Sequence, residues 1–391
     1  MALFLKTFFR VGSRSCGPSL ASLSIGLLCV LSASAVDYQV YVGTYTDGSA
    51  EGIYSFEFDD RTGKTGPVRL VARTVNPSFI ALHGNGRFLY AVNEVNQFDG
   101  QPSGAVSAYK IGENGGLSLI NQLATGGAAP CHLVVDGTGE NLLVANYNGG
   151  NISVFRLAQD GSLEKRSELL QHLGSSVSRQ RQTAPHAHSI NLDLNNRFAA
   201  AADLGVDKVF LYPLNTDSGR LNLAAANSVS LPPGSGPRHF AFHPNGTLAF
   251  VNNEMLSSLT SLRYDPKWGR LSLLDTESTL PGDFSGRNST AETQIHPNGE
   301  FVYVSNRGHD SIAIFRVDQK NGDLDLITNE STRGRTPRNF GLDPQGKFLF
   351  AANQGSDSVV LFKVNAINGL LSATGLSLKV PAPVCVKFKR L

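Results

Sequence analysis

The sequence contains few cysteines and none of the common metal-binding motifs. Four of its 391 residues are cysteine, and Cys16 and Cys29 lie within the first 35 residues. Cys131 and Cys385 fall in short alternating strands, where a cysteine is most often a small buried side chain. The sequence has no CxxC or HExxH motif and no cluster of Asp and His at metal-ligand spacing. We therefore predict neither a metal site nor a cofactor.

An excess of charge of either sign is also missing. The chain has 34 Lys and Arg residues against 32 Asp and Glu residues, which gives a formal net charge of +2. No stripe of lysine or arginine runs along the sequence, so it offers no electrostatic surface for nucleic acid. We predict a protein that binds no nucleic acid.

No apolar segment is long enough to span a lipid bilayer, which needs about twenty residues. The candidate at 20–31 follows three basic residues and precedes the small residues at 33–35. This order is typical of a secretory signal peptide. We therefore predict a signal at 1–35 and a mature domain at 36–391. The product would be periplasmic or secreted, with no stable membrane association after cleavage.

What the sequence does contain is a repeat of roughly 50 residues. Each copy begins with a Pro or its substitute, followed by a short strand, a Gly turn such as HPNG and a second strand such as FLYAVN. The six anchors are Pro77, Pro130, Pro185, Pro237, Ala291 and Pro337. A repeat built only of short strands and turns predicts an all-β propeller with one four-stranded blade per copy.

A seventh blade is divided between the two ends of the chain. The segment 382–388 has a Pro-led first strand without a continuation, whereas 37–46, 52–58 and 67–74 provide strands without a Pro-led first strand. Joining them closes the ring by hydrogen bonds and leaves no open sheet edge at the join. No linker interrupts the repeat. We predict a single seven-bladed propeller, closed one-plus-three by the C-terminal and N-terminal strands.

Two sets of equivalent positions are expected to form rings at one mouth of the channel. The residues after the anchors are Ser78, Cys131, His186, Arg238, Glu292, Arg338 and Val384. The residues after the second strands are Tyr45, Glu94, Tyr147, Leu204, Glu254, Arg307 and Gln354. Cations and carboxylates concentrate in blades three to six, which favours one anionic ligand. A polar lining that only holds water is the alternative.

Several of these residue types suit acid–base chemistry. His186 and His188 are two apart on one strand and should face the same side, where general acid–base work is favoured over metal binding. Glu254 and Glu292 could each be a general base or the partner of a nearby arginine. Two longer polar loops, 171–183 with Arg181 and 281–289, lead into these strands and are expected to shape the pocket.

At these residues the sequence resembles the seven-bladed lactonase family. That family includes the bacterial propeller-type 6-phosphogluconolactonase and the fungal 3-carboxy-cis,cis-muconate lactonizing enzyme. The resemblance extends over about residues 41–388. The most specific stretches are HAH at 186–188, GPRH at 236–239, NNE at 252–254 and SNRGHDSI at 305–312.

The resemblance implies opening of a lactone ring, or its reverse, without a metal. The family's proposed active-site residues correspond here to His186 or His188, Arg238, Glu254 and Arg307. In this hypothesis Glu254, with His188, activates water, and His186 protonates the leaving alkoxide. Arg238 and Arg307 bind the substrate's carboxylate or phosphate and stabilise the oxyanion. The positions of Arg181, Glu292 and Arg338 predict further substrate contacts.

Three readings of the function remain open in the sequence. The first is hydrolysis of a sugar-acid lactone, the second is cycloisomerisation of a carboxymuconate, and the third is an exported propeller that binds a ligand or partner without catalysis. The export signal favours an unphosphorylated lactone, because the best-known relatives act on intracellular metabolites. We expect a small lactone or anionic sugar acid as the ligand, and a monomer, because a closed propeller has little edge to share.

Overall fold

Residues 37–391 are described by a computed structural model, and they form seven β-sheets arranged as blades around a central channel. The predicted signal peptide lies outside the described residues. Helical structure between residues 37 and 391 amounts to two 3-10 turns, Leu223–Ala225 and Gln354–Ser356. None of the helices in this range is long and apolar enough to cross a membrane. The predicted all-β, seven-bladed propeller is confirmed.

The strands follow one another outward within each antiparallel blade. The first four belong to blade seven: β1 (Asp37–Thr44), β2 (Gly52–Asp59), β3 (Lys64–Thr65) and β4 (Arg69–Arg73). Blade one contains β5 (Ile80–Leu82), β6 (Phe88–Asn93), β7 (Ala105–Ile111) and β8 (Leu117–Ala124). Blade two contains β9 (Pro130–Val135), β10 (Asn141–Asn146), β11 (Asn151–Leu157) and β12 (Leu163–Gln171).

The remaining blades repeat this order. Blade three contains β13 (Ala187–Leu192), β14 (Phe198–Asp203), β15 (Lys208–Asn215), β16 (Arg220–Leu221) and β17 (Asn227–Ser230). Blade four contains β18 (Pro237–Phe242), β19 (Leu248–Asn253), β20 (Ser258–Asp265) and β21 (Arg270–Ser278). Blade five contains β22 (Ser289–Ile295), β23 (Phe301–Arg307), β24 (Ser311–Val317) and β25 (Leu324–Ser331). Blade six contains β26 (Pro337–Leu342), β27 (Phe348–Asn353), β28 (Ser358–Val364) and β29 (Leu371–Lys379), and β30 (Pro383–Arg390) completes blade seven.

The hydrophobic core lies between the blades. Every residue of the second strands β6, β10 and β19 is buried, because neighbouring blades cover both faces of the sheet. The outermost strands β21 and β29 are largely exposed. At one interface the ring of Phe58 in blade seven meets that of Phe350 in blade six edge to face, with centroids 4.9 Å apart. Such aromatic contacts fix the blades relative to one another.

Histidines of the Gly turns also join neighbouring blades. The Nε2 atoms of His83, His243 and His296 lie 2.7–3.0 Å from the carbonyl oxygen of a turn glycine in the next blade. One of these glycines, Gly299, has a φ of 76°. A Cβ atom there would come within 2.7 Å of the His243 ring. The turn therefore needs glycine for both its conformation and its contact, and these histidines are structural.

Buried amide side chains hold the mouth end of the blades. The second strands of four blades end in a buried asparagine and β23 has buried Asn306 one residue before its end, whereas β14 ends in Asp203. In blade five, Asn306 Nδ2 donates to the Thr279 carbonyl oxygen at 2.9 Å, and its Oδ1 accepts from the Thr279 hydroxyl at 2.8 Å. In blade three, Asp203 instead pairs with His172 at 2.6 Å. These bonds tie the end of the second strand to the loop that leads into the blade.

The ring is closed by hydrogen bonds between the two ends of the chain. The strand β30 pairs antiparallel with β1 from Tyr38–Arg390 to Thr44–Pro383. Val40 and Val42 of β1 are fully buried against the adjacent blade six. The predicted one-plus-three closure of blade seven is confirmed.

Candidate active site

The mouth of the channel lies where the innermost strands begin and the second strands end. Pro237 pairs with Asn253, and Pro337 pairs with Asn353. In both blades the register shifts after the proline, which is the mark of a β-bulge. A bulge places two successive residues opposite one. Two adjacent positions of these innermost strands, rather than one, are therefore turned toward the channel.

Blade three differs from the alignment that the repeat predicts. Ala187, not Pro185, lies opposite the last residue of the second strand, Asp203. His188 therefore occupies the mouth position that the sequence suggests for His186. The reason is that blade three has additional residues between Pro185 and its second strand. The proline therefore does not mark the residue that lies opposite the end of that strand.

Blade five differs in the opposite direction. Thr290, not Ala291, lies opposite Asn306. Ala291 therefore occupies the mouth position that the sequence suggests for Glu292. Glu292 falls one level deeper in the channel, at the level of His239. Without a proline to mark the start of the strand, the repeat alone does not reveal this register.

A buried carboxylate, Glu254, lies at the mouth and is bound by three arginines. Arg181 Nη2 donates to Oε1 at 2.8 Å. Arg238 Nε and Arg307 Nη2 each lie 3.0 Å from Oε2. His188 Nε2 lies 3.8 Å from the same oxygen. Four different segments of the chain thus converge on one side chain that is only 5% exposed.

The arginines keep this carboxylate ionised. Burial alone would raise the pKa of Glu254, but the charges of Arg307 and Arg238 and the hydrogen bond from Arg181 outweigh it and lower the pKa to about 2. Burial lowers the pKa of Arg307 to about 9 in spite of the opposing charge of Glu254. One carboxylate among three guanidinium groups leaves an excess of positive charge at the mouth. That excess favours an anionic ligand.

Folding stability should therefore depend on pH through Glu254. Because its pKa falls from an ordinary 4.5 to about 2 on folding, its contribution is fully present above pH of about 4.5 and is lost as the pH falls toward 2. We expect this contribution to be about 3 kcal/mol. Urea unfolding of the wild type and of Glu254→Gln between pH 2 and 6 would measure it. The difference between the two proteins should shrink toward low pH, and a constant difference would contradict the ion-pair account.

Two histidines flank one aromatic ring beside the carboxylate. The ring of His186 stacks on Tyr147 with centroids 4.5 Å apart, and His188 meets the same ring edge to face at 5.0 Å. His188 Nδ1 lies 3.6 Å from Cys131 Sγ. Burial, together with the charge of Arg238, lowers the pKa of His188 well below its usual range. His188 is therefore neutral at pH 7.

A second carboxylate cluster occupies the other side of the mouth. Glu94 accepts hydrogen bonds from Ser78 Oγ and from Tyr45 Oη, the latter at 2.8 Å. Arg338 Nη2 donates to Tyr45 Oη at 2.8 Å, and its guanidinium lies 5.1 Å from the centre of the Tyr45 ring. Burial opposes ionisation of Arg338, but Tyr45 and Glu94 outweigh it and raise its pKa. The mouth thus holds two acidic groups: Glu254 is paired directly with arginines, whereas Glu94 is linked to Arg338 through the Tyr45 hydroxyl.

Glu292 lies below both clusters. Its Oε1 is 3.1 Å from His239 Nδ1 and accepts from the Thr293 backbone N–H at 3.0 Å. Its Oε2 accepts from Asn339 Nδ2. Burial raises the pKa of Glu292. Its oxygens are therefore bound by protein donors, away from the carboxylate of Glu254.

Most of the predicted site residues are brought together. The cluster around Glu254 contains His188, Arg238, Arg307 and Arg181, whereas Arg338 belongs to the second cluster and Glu292 lies deeper. Sequence reasoning does not single out Tyr147 as a site residue. It holds both histidines, and its hydroxyl accepts from Arg181 at 3.0 Å. The available signal was its position after the second strand of blade two, equivalent to that of Glu254 in blade four.

Residues 37–391 provide neither a metal-binding cluster nor a disulfide. No group of three or more His, Cys, Asp or Glu side chains in this range is placed to hold a metal ion. Cys131 and Cys385 are both buried and free. Burial raises the pKa of both thiols, so neither is a reactive thiolate at neutral pH.

Comparison with known proteins identifies relatives over nearly the whole described chain. The family model "Lactonase, 7-bladed beta-propeller" matches residues 39–388. A 6-phosphogluconolactonase of Bacillus subtilis is 38% identical over 352 residues, which cover 90% of this chain and 98% of the relative. A 6-phosphogluconolactonase of Formosa agariphila is 36% identical over 309 residues, covering 78% and 86%.

A solved structure agrees with these relatives. A periplasmic gluconolactonase of Pseudomonas aeruginosa superposes with a TM-score of 0.84 at 33% identity, covering 90% of this chain and 99% of that one. The match of the family model and the identity to curated relatives confirm the predicted family. The chain therefore belongs to the seven-bladed β-propeller lactonase family.

Proposed function

We propose that this enzyme hydrolyses a sugar-acid lactone, of the kind opened by 6-phosphogluconolactonases, at the mouth of the channel and without a metal. The observation that carries the proposal is the convergence of Arg181, Arg238 and Arg307 on the buried carboxylate of Glu254, with a neutral His188 beside it. Hydrolysis requires a base to activate water and donors where the carbonyl oxygen gains charge. The cluster supplies both kinds of group.

The arginines are the groups proposed to bind the substrate. Arg307 Nε is buried and has no hydrogen-bond partner among the described residues. A buried donor of this kind is normally satisfied, and a substrate oxygen at the mouth would satisfy it. The side chain of Arg181 is 44% exposed and comes from the loop before β13. It can therefore change its conformation to contact the substrate. Arg338 would add a further cation on the other side of the mouth.

The proposed base is weak until the substrate binds. A carboxylate with a pKa of about 2 takes a proton from water poorly. Burial lowers the pKa of His188, and Arg238, one of the arginines that lower the pKa of Glu254, lowers it further. An anionic substrate that pairs with the arginines would draw their charge away from Glu254 and His188. Both groups would then become more basic in the complex, and water would be activated only when substrate is present.

The steps of the reaction follow from these positions. Water attacks the lactone carbonyl, and its proton passes to Glu254, with His188 beside it. Arg238 and Arg307 stabilise the negative charge that forms on the carbonyl oxygen. The bond from the acyl carbon to the ring oxygen then breaks, and His186 gives a proton to the leaving alkoxide. His186 is partly exposed and stacked on Tyr147, so its ring is held at the rim of the mouth.

The proposed cellular location and domain boundaries of the protein rest on the signal-like N-terminal sequence. Residues 1–35 would direct export, and 36–391 would be the mature lactonase domain, active in the periplasm or outside the cell. The periplasmic gluconolactonase of Pseudomonas aeruginosa supports this location. An exported enzyme would meet unphosphorylated aldonolactones more readily than phosphorylated ones. We further propose a monomer, since hydrogen bonds between the chain ends close the ring.

The test is a lactone panel with the purified mature protein in the presence of EDTA. Glucono-1,5-lactone, its 6-phosphate and a muconolactone would each be followed by acid release near pH 7. We expect glucono-1,5-lactone to be opened well above the buffer rate, with no loss of rate in EDTA. Loss of activity in EDTA would contradict the metal-free mechanism. If no lactone were opened faster than in buffer, hydrolysis would be excluded in favour of cycloisomerisation or ligand binding alone.

A further inference from the structure

The end of the channel opposite the mouth contains a recess of about 620 Å³. This volume is in the range of small-molecule sites. Its floor is made by Phe79, His132, His239 and Glu292, all of which are less than 8% exposed. The Glu254 cluster lies on the far side of this floor, because the recess is lined by residues from the later part of the innermost strands. The two ends of the channel are therefore separate.

Small side chains create the space. Two residues beyond the floor, each innermost strand again faces the channel. At this level blades two, four and six contribute Val134, Ala241 and Gly341, which all line the recess. The walls are largely apolar and include Phe242 and Leu342, although Gln294 and His296 also line them. An apolar chamber of this kind accepts the body of an organic molecule.

Two donors in the recess have no hydrogen-bond acceptor among residues 37–391. Lys387 lines the recess in blade seven, and its ammonium lies 4.7 Å from the centre of the Phe79 ring. No carboxylate of residues 37–391 comes within ion-pair distance of it. On β13, Asn191 Nδ2 is buried without a hydrogen-bond partner in the same range. Both groups are hydrogen-bond donors. Because unsatisfied donors in an apolar environment are unfavourable, a bound ligand that supplies an acceptor would be stabilised there.

A third unpartnered group lies on the same strand. Ser189 Oγ is fully buried and also has no partner among the described residues. Ser189 and Asn191 are two apart on β13, so both face the channel. By contrast, the carboxylate of Glu292 in the floor is bound by His239, Asn339 and a backbone N–H. The unsatisfied hydrogen-bonding capacity of the recess therefore includes a cation and an amide.

We propose that this recess is a second ligand site, which takes a small organic carboxylate with an apolar body. The carboxylate pairs with the Lys387 ammonium, the amide of Asn191 donates to the ligand, and the apolar body packs against the aromatic floor and walls. This site is independent of the lactone chemistry at the mouth. A charge-assisted hydrogen bond in such surroundings is among the stronger single contacts that a protein can offer.

Benzoate is a suitable probe, and benzamide is its matched neutral control. In isothermal titration we expect the wild type to bind benzoate at least about tenfold more tightly than benzamide. Lys387→Met should lose about this factor for benzoate and none for benzamide, whereas Lys387→Arg should retain it. Lys389→Met is the matched control: it removes the same charge from the same strand, outside the recess, and should bind benzoate like the wild type.

Two further variants locate the probe. Asn191→Leu should also weaken benzoate binding, although the charge of the protein is unchanged. Arg307→Met removes a cation from the mouth and should leave the affinity for benzoate unaltered. The proposal is overturned if the wild type binds no benzoate, if Lys387→Met binds it normally, or if Arg307→Met abolishes binding. The last result would place the probe at the mouth.

Discussion

Replacing Glu254 with glutamine is expected to lower kcat/KM for the best lactone by about 10²–10⁴-fold, the range that a general base supplies. Glutamine has nearly the same shape but cannot accept the proton of the attacking water. It also removes the one negative charge that the three arginines share. A rate that stays at the wild-type level would contradict this role of Glu254 and would indicate that His188 is the general base.

Loss of activity in this variant has to be separated from loss of folding. Leaving the buried Arg238 and the largely buried Arg307 without their carboxylate is expected to cost about 3–5 kcal/mol of stability. Kinetics should therefore be measured well below the unfolding temperature, with far-UV circular dichroism on the same sample. Glu277→Gln is the matched control, because Glu277 lies on the exposed outer strand of the same blade. It should keep both activity and stability.

Arg238→Met is expected to lower kcat/KM by about 10²–10³-fold, as for the removal of one donor that stabilises an oxyanion. Arg238 is 2% exposed, and its guanidinium spans from the Glu254 carboxylate to the Ala291 carbonyl oxygen. Methionine fills the space but carries no charge. Arg270→Met, on the outer strand of the same blade, is the control and should be active.

The pH profile distinguishes an electrostatic role of Arg238 from a merely structural one. Removing this cation should raise the pKa of Glu254. The acid limb of kcat/KM should then move to higher pH in Arg238→Met and move less in Arg238→Lys, which keeps the charge. If the limb stays in place while the rate falls, Arg238 acts through packing alone. The kcat and KM values should be reported separately, since a cation that only binds substrate would change KM alone.

The fold could be predicted from the sequence because its signal is repeated. The alternating strands recur in every blade, and the Gly turns and Pro anchors recur in most of them, so a copy that lacks one signal is still recognised from its neighbours. The split blade could be recognised because segment 382–388 lacks a continuation and segment 37–74 lacks a first strand. The structure has both halves in one sheet, paired from Tyr38–Arg390 to Thr44–Pro383.

The site was harder to predict because it depends on register rather than on pattern. Glu254 and Arg238 can be located because in blade four the anchor proline and the buried asparagine keep their usual spacing, and Arg307 can be located because it directly follows Asn306 in the second strand of blade five. In blades three and five the spacing changes, and the ring positions of His186 and Glu292 are displaced. A displacement of one residue at a bulge moves a side chain from the mouth into the channel.

The sequence also could not predict which charged side chains of the site pair with one another. A polar ring predicts that arginines and carboxylates meet, but not which pairs form. Arg338 pairs with the Tyr45–Glu94 cluster, whereas Arg181 reaches Glu254 from a loop. These choices depend on side-chain reach and on the burial of each group, which are properties of the assembled mouth.

The pairing of β30 with β1 also affects how the protein is made. The edge of β1 meets its partner only after the other six blades have left the ribosome. Until then the nascent ring is open, and β1 presents unpaired backbone groups that can join another chain. Contacts between such distant segments form slowly. A chain truncated before residue 383 would have an unpaired edge on β1. Such an incomplete product is prone to aggregate and can be recognised by quality-control proteases. The ring therefore closes only when residues 383–390 are available to pair with β1.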